Sequence, residues 1–263
     1  MNEDEFRRQL KQQGEELYRD MPWRQDTRPY YVLVSELMLQ QTQVDRVIPK
    51  FEAFIAAFSD ERALAQASLA NVLRQWQGLG YNRRAKFLHD AAKEIIERGG
   101  FPDDESGLVS LPGVGKNTAG AIMAYAFNKP AIFIETNVRA VYIHHFFNNQ
   151  DQVDDKDIRE ILEQTIDHKN PRAFYWALMD YGSWLKKQGV TPNRSRHYKK
   201  QAPLKGSVRE VRGQIVLALT TGDASEVDLR RSLSADERFE QALTGLIKDG
   251  LVTVTNGKLH LTK

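Results

Sequence analysis

The chain has 263 residues and not one cysteine. That absence excludes disulfides, thiolate zinc sites, cysteine-ligated iron–sulfur clusters and cysteine nucleophiles together. Long apolar runs are missing as well. No stretch approaches the roughly 18 apolar residues that cross a bilayer, and the charged start MNEDEFRRQLKQ lacks the apolar core of a secretory signal. A cytoplasmic protein without membrane contact is therefore expected. A surplus of either charge is missing too, since 37 Lys and Arg face 35 Asp and Glu. A polyanionic partner must meet a local basic patch rather than a uniformly basic surface. The 41% hydrophobic content suffices for a sizeable core, in one large domain or two smaller ones.

What is present is mostly helical periodicity, and the chain is organised around LPGVGKNTAG at residues 111–120. Two glycines one residue apart follow a proline and precede a helical run over 118–127. Glycine tolerates backbone angles that other residues avoid, so the turn is tight and its amides can face outward. Amides converging at a helix start suit a phosphate oxygen, helped by the positive end of the helix dipole. Such a contact grips a backbone and reads no base. The same ten residues also suit an ordinary helix–turn–helix corner.

Two isolated carboxylates stand out. The run over 30–41 is apolar nearly all round and reads as a buried helix, with Glu36 its only ionisable group. Apolar surroundings raise a carboxyl pKa and suit a general acid, although a surface position or an arginine partner would make Glu36 ordinary. Glu135 ends the apolar segment 131–134, ahead of a helix that Thr136 or Asn137 is placed to cap, which puts it near the positive helix end. Simple capping accounts for it equally well. The intervening GLGYNRR, residues 78–84, holds Leu79 and Tyr81 on a glycine-rich turn followed by two arginines. It suits wedging into a base stack with phosphate contacts beside it, or a plain turn with both residues in the core.

Further helices are expected over 4–18, 44–58, 69–75, 85–98, 138–145, 151–167 (acidic and solvated) and 172–187. Between 181 and 214 nine Lys and Arg stand against Glu210 alone, which suggests a basic strap on phosphates. The last segment reads as three helices and a hairpin turning at Asn256-Gly257, a winged-helix pattern. Ser234 and Glu237 form the capping-box signature of its third helix. That helix is acidic and ill suited to a major groove, so packing against the rest of the chain or a partner protein is expected instead.

The segments SELMLQQTQV, GLGYNRR, LPGVGKNT and IETNVRAV stand in the order and spacing of the helix-hairpin-helix base-excision glycosylase superfamily. The chain most resembles its adenine DNA glycosylases, which remove adenine mispaired with guanine or 8-oxoguanine. The resemblance implies a mainly α fold of two subdomains with the base pocket between them. Residues 1–187 would form the glycosylase domain, with 29–130 as the hairpin-bearing subdomain and 1–28 plus 131–187 as the second. Residues 188–206 would be the basic strap and 207–263 a winged-helix-like module, too short for the pyrophosphatase-like domain that recognises 8-oxoguanine in that family.

By the same resemblance Glu36 is the general acid and Glu135 replaces the aspartate that stabilises the developing sugar cation, with Asn137 in support. Gln41 and Thr42 match residues near the gap left by the flipped base, and Leu79 and Tyr81 match the wedge, with Arg83 after it. Gly113, Gly115, Lys116 and Thr118 belong to the phosphate-binding hairpin; Arg194, Arg196, Lys199 and Lys200 are the strap's candidate DNA contacts. Asn117 stands where bifunctional relatives carry a Schiff-base lysine, so strong strand cleavage is not expected. Lys186, Asn193 and Arg196 fill positions of cluster ligands, which leaves no cofactor, apart from an alkali ion in the hairpin. The expected protein is a monomeric, nucleoid-associated, monofunctional glycosylase acting on double-stranded DNA with a mismatched or damaged base. Thymine or uracil opposite guanine, or another damaged base, is the alternative substrate, and a non-catalytic DNA-binding protein the alternative class.

Overall fold

A computed structural model describes residues 1–190, 194–197, 202–233 and 236–262. The first helix, α1 (Glu3–Glu16), is opened by Asn2, whose side chain accepts the Glu5 amide. A proline-led turn, α2 (Pro22–Gln25), separates it from α3 (Pro29–Leu39). Next come α4 (Val44–Ala57), α5 (Glu61–Gln66), α6 (Leu69–Trp76) and α7 (Arg83–Glu97). Asp104 caps the short α8 (Glu105–Val109), and a tight turn leads from it into α9 (Lys116–Tyr125), which gives the helix–hairpin–helix. The chain continues through α10 (Thr136–Phe146), α11 (Asp155–Thr165) and α12 (Pro171–Lys187). The C-terminal part holds α13 (Val208–Thr221), β1 (Ala224–Ser225), α14 (Glu226–Ser232), α15 (Arg238–Lys248), β2 (Val252–Thr255) and β3 (Lys258–Leu261).

Two compact units result. One comprises residues 1–32, 102–110 and 114–200; the other comprises 33–101, 111–113 and 201–263. This grouping differs from the division expected from the sequence: α8 and α9 join the terminal helices, and the C-terminal module shares a unit with α4–α7. In the first unit α12 packs on α1 and α10. Phe6 of α1 meets Tyr142 and Phe146 of α10 with ring centroids 5.2 and 5.0 Å apart. A buried ion cluster lies beside this core: Asp180 of α12 accepts Arg24 at 2.6 and 3.0 Å and Arg19 at 2.6 Å. In the second unit Phe54, Phe58 and Trp76 make an edge-on aromatic cluster, and α7 packs against α5 and α6.

The C-terminal module has its three helices and an antiparallel sheet in the order β1-β3-β2. Asn256 and Gly257 both have positive φ, 51° and 73°, as the two-residue turn joining paired Thr255 and Lys258 requires. Two local expectations are corrected. The third helix opens at Arg238, with Glu237 itself at the cap in helical geometry and making no side-chain cap bond; Ser234 lies outside the described residues. The helix expected as acidic and solvated over 151–167 is amphipathic: α11 buries Ile158 and Leu162, and Asp154 with Asp157 forms its capping box. Among the described residues no helix is long and apolar enough to cross a membrane.

Candidate active site

Glu36 lies on α3, half-buried, between the fully buried Ser35 and Leu37. The C-terminal end of α3 is held by a residue of α7. Arg84, 7% exposed, donates to the carbonyl oxygens of Leu37 (2.6 Å), Met38 (3.0 Å) and Gln40 (2.6 Å). Its other terminal nitrogen reaches Thr42 Oγ1 at 3.3 Å and the carbonyls of Leu79 and Gly80 at 3.1 and 3.2 Å. Burial lowers its pKa to about 10, still far above neutrality. One guanidinium therefore ties the turn after α3 to the turn before α7. Each turn carries a non-glycine residue in the left-handed region, Gln41 at φ 57° and Tyr81 at φ 46°. Such conformations cost energy and persist only where surrounding bonds enforce them.

Arg84 corrects the expectation that both arginines of GLGYNRR reach phosphate. Arg83 is the exposed one, with Nε 3.8 Å from Asp249. Leu79 is core, 4% exposed, and Tyr81 is half-buried, so the turn presents tyrosine and packs leucine.

In the hairpin Gly113 has φ 77°, and a Cβ there would lie 2.6 Å from Phe87 Cβ, so only glycine makes this turn without displacing the half-buried Phe87. Gly115 is the N-cap of α9 and has no side chain to occupy the first-turn amides. Lys116 beside it is exposed, while Thr118 turns inward and is buried. This local geometry suits an anion at the helix start.

The segment before α10 is anchored by an amide. Asn117 Nδ2 donates to the carbonyl of Ile134 at 3.0 Å, fixing the residue next to Glu135. Glu135 is the N-cap residue of α10, with no side-chain cap bond. Burial raises its carboxyl pKa, and Arg139, one turn on, opposes the rise. Arg139 is itself held by Asp155 through two bonds of 2.7 Å. Asn137 is packed against Gly182 of α12; its Nδ2 lies 3.6 Å from Met179 Sδ, and its buried Oδ1 has no hydrogen-bond partner. A buried acceptor of this kind costs energy until a donor meets it. Glu135, Asn137 and Asn117 thus share one corner of the first unit. Glu36, Gln41, Thr42, Leu79 and Tyr81 belong to the second.

The strap is described at Arg194, Ser195, Arg196 and His197 and again from Ala202. Arg194, expected on phosphate, donates to the carbonyls of Phe147 and Asn148 at 3.2 and 2.6 Å, behind α10. Val153 and Ser195 form a bridge beside it. Arg196 is exposed and 3.7 Å from Asp154. Lys199 and Lys200, and Asn193 of the cluster positions, lie outside the described residues. The cluster that many relatives carry does not fit this chain: it has no thiolate to offer, and the arginine at 194 fastens the segment instead. Among the described residues no group of three His, Asp or Glu side chains is placed to hold a metal ion.

The family model of the HhH-GPD superfamily of base excision DNA repair proteins matches residues 34–168. The chain belongs to this superfamily. Among relatives, the Adenine DNA glycosylase of Mycobacterium tuberculosis is 32% identical over 266 residues, covering 90% of this chain and 87% of the relative. That of Buchnera aphidicola (subsp. Baizongia pistaciae) is 36% identical over 171 residues, covering 63% of this chain and 48% of the relative. The matched region thus spans about half the length of the Buchnera relative. A solved thermostable thymine-DNA glycosylase superposes with TM-score 0.58 at 25% identity, over 68% of this chain and 87% of that one. The HhH-GPD match contains Glu36, the 78–84 turn, the hairpin and Glu135, but ends before the strap and the C-terminal module.

Proposed function

We propose that this HhH-GPD protein is a monofunctional DNA glycosylase that removes adenine opposite guanine or 8-oxoguanine. The observation that carries the reading is the similarity to an adenine glycosylase along 90% of the chain, in a sequence with carboxylates at Glu36 and Glu135 and an amide at Asn137. Hydrolysis of an N-glycosidic bond needs a protonated leaving base and a stabilised oxocarbenium-like sugar. Glu36 protonates the adenine. Glu135, beside the positive end of α10, has its pKa raised by burial with Arg139 opposing the rise, and in its anionic form it stabilises the sugar cation. Asn137 Oδ1 accepts a donor from the reacting nucleotide or its water, and water completes the reaction. The hairpin amides with Lys116, together with Arg83, grip phosphates while the base leaves the stack, which costs about a few kcal/mol. Asn117 has an amide where a lyase needs an amine, and its nitrogen is committed to Ile134, so no Schiff base forms.

Thymine or uracil opposite guanine is the second reading, favoured by the likeness to the thymine-DNA glycosylase. A panel of duplexes, each with one lesion, separates the two. Adenine opposite guanine or 8-oxoguanine should yield alkali-labile abasic sites, with no strand cleavage before alkali and no borohydride-trapped adduct. Release of thymine or uracil with adenine retained would overturn the substrate, and no abasic product from any duplex would overturn the enzyme.

A further inference from the structure

The C-terminal module holds the tyrosine of the 78–84 turn. Arg209, in the first turn of α13, places its guanidinium 4.8 Å from the centroid of the Tyr81 ring and donates to Tyr81 Oη. Its second terminal nitrogen donates to the carbonyl of Ala202 at 3.0 Å, fixing the arginine from behind. Arg84 approaches the same ring at 5.5 Å, so a tyrosine in a left-handed conformation is flanked by two cations, one from α7 and one from the module. The module is fastened to this unit elsewhere too. Arg74 of α6 donates to the carbonyl of Thr220 at 3.1 Å. Asp249, the C-cap of α15, takes Arg212 at 2.5 Å and Arg83 at 3.8 Å.

We propose that Arg209 is a positioning residue for Tyr81, and that through it the C-terminal module sets how strictly the base opposite the target is discriminated. This rests on the proposed function. A tyrosine whose hydroxyl is engaged and whose face lies against a guanidinium has one orientation to offer a neighbouring base; with Arg209 gone the ring can rotate and stack on any base. The contact is remote in sequence, and its arginine lies outside the region that the superfamily model covers.

The test uses the full chain and single-turnover base release at saturating protein, from duplexes that differ only in the base opposite the target: guanine, 8-oxoguanine or cytosine. The readout is the ratio of the rate opposite guanine to that opposite cytosine. Arg209→Ala and Tyr81→Phe should each lower that ratio by about tenfold, the worth of one charge-assisted bond, and the double variant should lower it no further. Arg209→Lys, which keeps the charge, should recover part of the ratio. Arg74→Ala, which loosens docking away from the turn, should leave the ratio unaltered. A uniform slowing opposite all bases in Arg209→Ala, additivity in the double variant, or the same loss in Arg74→Ala would overturn the proposal while leaving glycosylase activity established. A wild-type chain that releases no base would instead remove the function on which the proposal rests.

Discussion

The carbonyl of Asn137 sits directly against Gly182: a methyl group at residue 182 would overlap that oxygen and lie 2.8 Å from Asn137 Cα. The glycine lets α12 approach the first turn of α10, the turn that carries Glu135 and Asn137. Gly182→Ala should part the two helices at an overpacking cost of about 1–3 kcal/mol. Base release should fall with stability, because the displaced residue is Asn137 itself. Urea unfolding and single-turnover release measured side by side would check this, and unchanged values in both would contradict it.

Neighbouring arginines on α7 should behave oppositely. Arg84→Ala removes a donor from five carbonyl oxygens at the end of α3 and in the two turns, of which Gly80 keeps Trp76 Nε1, and each buried acceptor left unmet costs about 1–3 kcal/mol before water relieves it. A loss on the order of 3–5 kcal/mol is expected, with little rescue by lysine, which lacks the planar fork. Arg83→Ala, on an exposed side chain, should change stability by less than about 0.5 kcal/mol and reduce the salt dependence of DNA binding. Denaturant titration and binding isotherms at several ionic strengths separate the two.

Acid should weaken the first unit through His145. Burial and the neighbouring His144 lower its pKa to about 4, whereas an unfolded histidine titrates near 6.5. Between those values the unfolded chain binds the extra proton, so stability rises with pH across the window and is lost as pH falls through it. His145→Gln removes that titration. The gap in melting temperature between wild type and variant should therefore narrow from pH 7 to pH 4. A constant gap would show that His145 contributes no such linkage.

Much of this was legible in the residues. The helix–hairpin–helix and the Asn256-Gly257 turn are local, set by glycine, proline and helical spacing within a few residues. Arg84 was legible in principle. Residues 84, 88, 91 and 95 fall on one face of α7, and Leu88, Ala91 and Ile95 are core, so the arginine on that stripe had to point inward. Its partners at residues 37–42 were not, because no periodicity names a contact so distant. The same holds for Arg194, whose charge suggested phosphate while its geometry serves the carbonyls behind α10. The start of α15 departs from the Ser-x-x-Glu signature because that signature is a local preference, and the chain places Glu237 itself at the helix cap.

The division of labour between the two carboxylates is the centre of the account, and Glu36→Gln probes it most directly. It keeps the shape of the side chain and removes its proton. Release of adenine opposite guanine should be measured under single turnover, with affinity for the same duplex measured alongside. The account predicts retained binding and release slowed by at least about 10²-fold, the ordinary worth of a general acid. Release by Glu36→Gln at the wild-type rate would contradict it.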